Sequence, residues 1–391
     1  MRKPARSDVG PGACMPLNGQ TAECLTVVRE VSEIEPFVDG WNRLALLART
    51  PFLTCEWLRA WWETHGEGGL EWLILHDSEG VVHAGACCGR PDRRTLSAAA
   101  NSHSGSWDVV AVDDRARVEI WRRLAERSPG HLRLRGLVDA SGPTAAGLDV
   151  LGQRGYRLGR ERGAQSPFMR LPRTWDEMMA RVSKNLRSQV GRRRRALERA
   201  GTLVFRTTSD GPGLEADLET IFRLEAAGWK GRSATAVLSD ERTRSLYAGF
   251  ARAAAQRGWL RLHVLELDGA PIAADYGCVF ANGGFLVKTA FDERHAQLSP
   301  GLVLRAEVLK HAIGEGLDFY DFLGGADAYK LRWTDEVRPR VTIDAYRGLA
   351  ALRPSAVYRW GVREALKSTR KRLPQRGRQA GRQGQGGGRG R

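Results

Sequence analysis

The most regular hydrophobic pattern in the chain runs from Trp259 to Leu323. Residues 259–267 alternate, with Leu260, Leu262 and Val264 on one side, the period of a half-buried strand. Asp268-Gly269 follows, a pair suited to a type I′ hairpin turn because both central positions need positive φ. Residues 271–280 predict the next strand, Asn282-Gly283 a second turn, and residues 284–291 a third strand. After a loop, Ser299-Pro300-Gly301 opens a helix, since proline fits the first turn where its missing N–H is not needed. Leu302, Ala306, Leu309 and Ile313 then recur on one helical face. Gly314 and Gly316 end that helix, and residues 317–323 form a strongly apolar strand. The order is three meandering strands, a helix and a strand.

The first half repeats this order more weakly. Residues 72–76, 81–89 and 95–100 predict strands separated by Ser78-Glu79-Gly80 and Pro91-Asp92. Residues 114–127 predict a helix with Val118, Trp121, Leu124 and Ala125 inward, and residues 131–137 a closing strand. Two copies of one α/β unit are expected, with mixed, mainly antiparallel sheets and flanking helices. The expected division is a loose arm at 1–20, a first unit at 21–172, a basic connecting helix at 173–202, a second unit at 203–348 and a basic tail at 349–391. Thr174 with Glu177 fits a capping box at the start of the connecting helix, and Gly201 fits its stop. In the tail, residues 354–372 fit a basic helix. From Gln375 on, a low-complexity run of Gly, Gln and Arg cannot offset ordering entropy, and disorder is expected.

A chain of 391 residues, 42% apolar with 12 Trp, has material for two cores. No run of about 18 apolar residues predicts a membrane span, and residues 1–20 lack the apolar stretch of a secretory signal. The six cysteines show no framework spacing and no metal-type pair, so reduced thiols and a cytoplasmic location are expected. The net charge of +16 suggests nucleic acid until it is localised. Residues 351–391 carry 12 Lys/Arg and one Glu, while the other 350 residues carry 49 Lys/Arg and 44 Asp/Glu. The excess concerns the tail's partners, nucleic acid or an anionic membrane surface, rather than the chemistry of the body.

Four motifs carry candidate chemistry. The helix start Ser299-Pro300-Gly301-Leu302 presents backbone N–H groups and a partial positive charge, suited to a pyrophosphate; an ordinary helix start has the same pattern. The run Tyr320-Asp321-Phe322-Leu323-Gly324-Gly325 with Tyr329-Lys330 places polar groups at a strand end, where ligands collect. A lysine there would stabilise a developing oxyanion. A tight turn held by an Asp–Lys pair is the plainer reading. In the basic helix, Lys184, Asn185 and Arg187 suit a phosphate-bearing substrate, whereas Arg192–Arg195 suit a solvated face. Residues 224–230 end an apolar helix with Trp229 at a glycine break, as a pocket wall or as core. His295 reads as a solvated loop histidine. No Ser-His-Asp set, GxGxxG, P-loop or zinc spacing is present, and no metal is expected.

Taken in order, Ser183-Lys184-Asn185 with Arg187, residues 224–230, Ser299-Pro300-Gly301, Tyr320–Gly325 and Tyr329-Lys330-Leu331-Arg332-Trp333 resemble the acetyltransferase domain of CelD-type cellulose-biosynthesis proteins. That family is similar in turn to the Fem aminoacyltransferases. Pro51-Phe52-Leu53 with Trp57, Ala60, Trp61 and Trp62 resembles its N-terminal region, and the likeness spans residues 24–348. The resemblance implies two tandem GNAT-like (acyl-CoA N-acyltransferase) units and transfer of an acyl group, acetyl in the first instance, from coenzyme A to an amine or hydroxyl. The acceptor it implies is a small molecule or glycan precursor of exopolysaccharide or envelope synthesis. Lys330 occupies the place of the lysine tied to catalysis in Fem-type enzymes, with Asp321 and Tyr329 fixing its turn. Ser299, Pro300, Gly301 and Leu302 would face the acyl-CoA donor. Lys184, Asn185, Arg187 and Trp229 would face substrate. The usual acyl-CoA loop, Q/R-x-x-G-x-G/A, is absent, and no residue stands out as general base. Aminoacyl transfer from tRNA is the rival reaction; a non-catalytic binder acting through the basic tail is the rival from another class.

Overall fold

The computed structural model describes residues 23–128, 130–138, 143–228 and 237–348. The arm at 1–20, the tail at 349–391 with its expected helix, and Trp229 lie outside the described residues.

Both halves build the same succession. The first has β1 (Cys24–Val28), α1 (Val38–Ala48), α2 (Cys55–His65), β2 (Gly69–His76), β3 (Val82–Asp92), β4 (Thr95–Ala98), a two-residue β5 (Val110–Ala111), α3 (Asp114–Arg127), β6 (His131–Val138), α4 (Pro143–Gln153) and β7 (Arg157–Arg170). Two helices follow, α5 (Trp175–Arg181) and α6 (Lys184–Ala200). The second half has β8 (Leu203–Thr208), α7 (Leu214–Ala227), α8 (Glu241–Gln256), β9 (Leu260–Leu267), β10 (Ala270–Phe280), β11 (Gly283–Phe291), α9 (Pro300–Gly314), β12 (Phe319–Asp321) and β13 (Val337–Tyr346).

The strands join into one sheet, in the order β1-β2-β3-β4-β6-β13-β7-β12-β11-β10-β9-β8, with β5 beside β3. Two joins are parallel, β4 with β6 and β11 with β12, at corresponding places in the two halves. The last strand of each half pairs outside its own half: β13 lies against β6, and the end of β7 lies against β12. β7 and β13 also pair with each other over most of their lengths. The halves are therefore tied by main-chain hydrogen bonds as well as by packing. One core draws on both, with Trp41, Trp57 and Trp72 from the first half and Phe222, Phe250 and Tyr276 from the second. A second core belongs to β3, β6 and α3, and a third to α6, α9 and the opposite face of β10 and β11.

Several local expectations shift. The connecting helix is two helices, because Val182 and Ser183 are extended and the Ser183 hydroxyl caps α6 by accepting from Leu186 N–H at 3.2 Å. Thr174 Oγ1 accepts from Glu177 N–H at 3.2 Å, the capping bond expected at the start of α5. The second hairpin turn is centred on Ala281 and Asn282, with φ of 48° and 58°, one residue before the expected pair. Gly283 lies in β11, where a Cβ would stand 2.0 Å from the Phe319 ring, so close packing is what requires glycine there. Cys55, Cys87, Cys88 and Cys278 are free and buried. Cys24, on the edge strand, is disulfide-bonded, which corrects the expectation of six reduced thiols; spacing arguments do not see pairs of isolated cysteines. No helix among the described residues is long and apolar enough to cross a membrane.

Candidate active site

The second half contains a split in its sheet. β11 has nine residues, but β12 pairs only with its first three: Gly283 with Phe319, Gly284 with Tyr320 and Phe285 with Asp321. The chain after β12 then follows β7, with Phe322 N–H donating to Pro167 O at 2.9 Å. Residues 286–291 are left, among the described residues, without a strand on that edge. A β-bulge sits at the opening: Tyr276 pairs with Lys288 and Gly277 with Leu286, so Val287 has no opposite number. Bulges re-aim side chains and break ladders. This one turns Lys288 toward the core shared by the two halves, where its ammonium stands 4.8 Å from the centre of the Tyr247 ring.

Beyond β11, α9 begins at the predicted proline. Its N-cap Ser299 has φ 55° and makes no side-chain capping bond. The Ser299 carbonyl accepts from Leu302 and Val303 N–H at 3.1 and 3.4 Å. A Cβ on Gly301 would lie 3.5 Å from the Phe291 ring, an ordinary contact, so protein packing alone does not demand glycine there. A helix start that carries no carboxylate cap keeps its positive end available to an anion.

The turn after β12 is held by the two residues singled out in the sequence. Leu323 and Gly324 both lie in the left-handed region, with φ of 51° and 60°. Such a conformation in a non-glycine residue costs on the order of 1–3 kcal/mol and persists only where neighbours enforce it. Asp321 Oδ1 accepts from Leu323 N–H at 2.9 Å and from Ser166 Oγ at 2.7 Å. Lys330 Nζ donates to Leu323 O at 2.9 Å and Gly325 O at 3.1 Å, and stands 2.8 Å from Asp327 Oδ2. Both backbone polar groups of the strained Leu323, its N–H and its carbonyl, are therefore gripped. Lys330 is 5% exposed, and a buried ammonium needs this many partners to offset several kcal/mol of desolvation. With three donors directed at two carbonyls and a carboxylate, Lys330 positions the turn. Tyr329 is 43% exposed. Burial of its hydroxyl pushes its pKa up, against the opposing effect of Arg305, so it stays protonated near neutrality and is no base.

α6 spans this turn and the start of α9. Gln189 Oε1 accepts from Arg332 Nη2 at 2.7 Å, and Arg193 Nη1 donates to Gln297 O at 2.6 Å, just before Ser299. Arg194 pairs with Glu307 of α9. Among the expected substrate residues, Lys184 and Asn185 are exposed at the start of α6. Asn185 Oδ1 accepts from Gln189 Nε2 at 2.9 Å, which links it to Arg332. Arg187 donates to Ala180 O and Val182 O, so it closes the end of α5.

Two polar clusters escaped the sequence reading. Under the split, Arg305 is 3% exposed and joins β10, α9 and β12: Nη2 lies 2.7 Å from Asp275 Oδ2, and Nη1 donates to Tyr320 OH at 2.8 Å. Its place among apolar helix positions carried no signal. On the other face, Glu225 of α7 is 2% exposed. Its Oε1 lies 3.7 Å from Lys288 Nζ, and its Oε2 accepts from Val237 N–H at 2.9 Å. Tyr247 of α8 meets His103 of the first half, with Nδ1 and OH 3.1 Å apart. Burial, with help from Lys288, pushes the His103 pKa down to about 4. Of these residues, Glu225 and Tyr320 lay in motifs noted from the sequence.

Comparison with known proteins bears on the fold. Residues 184–331 match the family model of the acetyltransferase (GNAT) domain. The match lies in the second half and takes in α6 and the split in the sheet. No curated protein matches the chain. Among solved structures, the crystal structure of FemX is similar with a TM-score of 0.57 and 12% identity, over 84% of this chain and 98% of that one. The C-terminal domain (DUF2156) of a putative lysylphosphatidylglycerol synthetase from Agrobacterium fabrum is similar with a TM-score of 0.53 and 12% identity, over 86% and 96%. A conserved protein of unknown function from Bacteroides thetaiotaomicron is similar with a TM-score of 0.53 and 11% identity, over 83% and 100%. At these identities the likeness is one of fold. The fold is α/β, two GNAT-like units in tandem with a mixed sheet and flanking helices.

Proposed function

We propose that the chain transfers an acyl group, acetyl in the first instance, from coenzyme A to an amine or hydroxyl acceptor, and that the second half does this work. The observation that carries the reading is the split between β11 and β12, with its bulge and with the start of α9 at its mouth. The open edge of β11 offers main-chain partners to the amides of an extended thioester donor, in the manner of an added strand. The α9 start, with Ser299, Pro300, Gly301 and Leu302, suits the pyrophosphate.

In this reading the acceptor attacks the acyl carbonyl directly. The new carbon–nitrogen or carbon–oxygen bond forms as the carbon–sulfur bond breaks, and the thiolate leaves. The acceptor's proton passes to Glu225, held beside Lys288 at the bulge. Lys330 and Asp321 keep the Leu323–Gly324 turn in place along the split, and Tyr329 lines it as a neutral donor. Holding both reactants supplies much of the rate. The acceptor is a sugar or polysaccharide precursor if the CelD-type resemblance extends to substrate.

The test is thermal melting of the full chain with acetyl-CoA and longer acyl thioesters. A ligand of the native state raises the midpoint by mass action, and a flat midpoint at every thioester concentration rejects the reading. A second reading has one observation in its favour, the exposed arginines of α6 beside the α9 start, together with the fold likeness to FemX: the donor is an aminoacyl-tRNA. Charged tRNA would then bind in place of thioesters, with affinity falling steeply as salt rises.

A further inference from the structure

The arginines of β13 divide sharply. Arg340 is 9% exposed and committed: Nε donates to Gly105 O at 3.0 Å, and Nη2 stands 3.7 Å from Asp321 Oδ2. Arg338, two residues earlier on the same strand, is half-buried. Its guanidinium carbon lies over Phe168, 3.2 Å from the ring centroid, and 5.7 Å from that of Phe319. Its guanidinium forms no hydrogen bond and no ion pair among the described residues; the two rings are what it packs over. Asp321 and Glu336 reach it through space alone, and Asp321 already serves Ser166, Leu323 N–H and Arg340.

A guanidinium carries five donors in a rigid fork. Covering one without engaging those donors forfeits hydration, and the cost shows as a lowered pKa caused first by burial. Packing on two phenylalanines would be served as well by Leu or Met at no such cost. A stacked guanidinium with idle donors is instead the arrangement that binds carboxylates and phosphates in two-pronged fashion.

Its place matters. β12 pairs Asp321 with Phe168, so the ring under Arg338 marks the last rung before the sheet splits. Phe319 touches Phe285 of β11, at 5.6 Å between centroids. These three rings belong to the core that also holds Tyr247 and Tyr276. Arg49 of the first half stacks on the same Phe319 ring at 4.7 Å, but its charge is answered by Asp318 at 3.0 Å. Arg338 therefore stands where the seam between the halves meets the split, on the sheet face that carries Lys288 and Glu225.

We propose that Arg338 is the anchor for an anionic group, a carboxylate or a phosphate, on the acceptor. The word acceptor rests on the acyl-transfer reading; the anion site itself does not. An anionic handle two-pronged on Arg338 leaves the rest of the molecule to extend along the seam toward Glu225.

The experiment is labelling of the full chain with an arginine-selective dicarbonyl, read by peptide mapping, in the presence of inorganic phosphate or acetate. Peptide resolution separates Arg338 from the arginines of α6. Arg338 labels faster than Arg305 and Arg340, and its labelling slows about tenfold once an anion fills nine sites in ten. Protection by phosphate alone assigns a phosphate-bearing acceptor; equal protection by acetate assigns a carboxylate. Protection by neither anion overturns the proposal. Arg338→Gln melts with the wild type, since no hydrogen bond is lost; a variant without a cooperative transition makes Arg338 structural and also overturns it. Failure of acyl thioesters to bind would leave the protection result untouched, so the two readings fail separately.

Discussion

The two halves carry the same parallel join, yet only one is open beyond it. In the first half β4 is four residues long, and its pairing with β6 covers Thr95 to Ser97. The chain then folds back and fills the space that stays open in the second. Trp107, 1% exposed, donates from Nε1 to Cys87 O of β3 at 2.7 Å, and its N–H donates to Gly136 O of β6 at 3.1 Å. β5 occupies the edge of β3 at Ala84 and Gly85. The following helix also differs. α3 begins on Asp113, whose carboxylate accepts from Ala116 N–H at 2.8 Å, with Asp114 behind it. Two acids at a helix start satisfy its donors and repel an anion. α9 begins on Ser299 without a side-chain cap. One copy of the unit has spent its split and its helix start on stability, and the other has left both available to a ligand.

The largest test of this contrast concerns Glu225, the proton acceptor proposed for the open side. Glu225→Gln keeps an acceptor for Val237 N–H but loses the base, and kcat should fall by about 10²–10⁴ with donor binding intact. An unchanged kcat removes Glu225 from the reaction. Trp107→Ala should empty the plug of the closed side and cost about 3–5 kcal/mol in denaturant unfolding. Thioester affinity of the folded fraction should be unaltered; a parallel loss of affinity would mean that the first half holds the donor.

Ser299→Asp makes α9 begin as α3 does, and aspartate tolerates the left-handed backbone. Stability should rise by about 0.5–1 kcal/mol, while acyl-CoA affinity drops on the order of tenfold through charge repulsion at the pyrophosphate. Tighter donor binding would refute the anion site at α9. The smallest effect is in the pH profile. His103 joins the loop of the plug to Tyr247 of the second half, and burial holds its pKa at about 4, below the ordinary histidine value of 6.5. Between those two values the unfolded chain binds the extra proton, so stability is full above 6.5 and declines as pH falls toward 4. His103→Gln should flatten that slope in urea titrations; an unaltered slope assigns the acid sensitivity elsewhere.

Local features were legible in the chain. The hairpin strands β9, β10 and β11, the proline start of α9 and the whole of α3 follow from short-range periodicity and turn chemistry, because each is set by neighbours a few residues apart. Asp321 and Lys330 were legible as a polar pair around a glycine turn, though whether they grip a backbone or meet a substrate depends on where Leu323 points. Arg305, Lys288 and Arg338 were not legible as special. Arg305 sits in a helix pattern, Lys288 is turned inward by a one-residue bulge, and Arg338 depends on strand β13 lying beside β7.

The sequence by itself determined that one α/β unit occurs twice and where its central hairpins turn, since hydrophobic period and turn residues act over a handful of positions. Only the tertiary structure decided which copy stays open. That choice lies in the exchange of β7 and β13 between the halves, in Trp107 reaching from β3 to β6, and in a ladder that stops after three pairs. These are contacts between residues far apart in the chain, and their free energy is settled by packing and pairing rather than by local propensity.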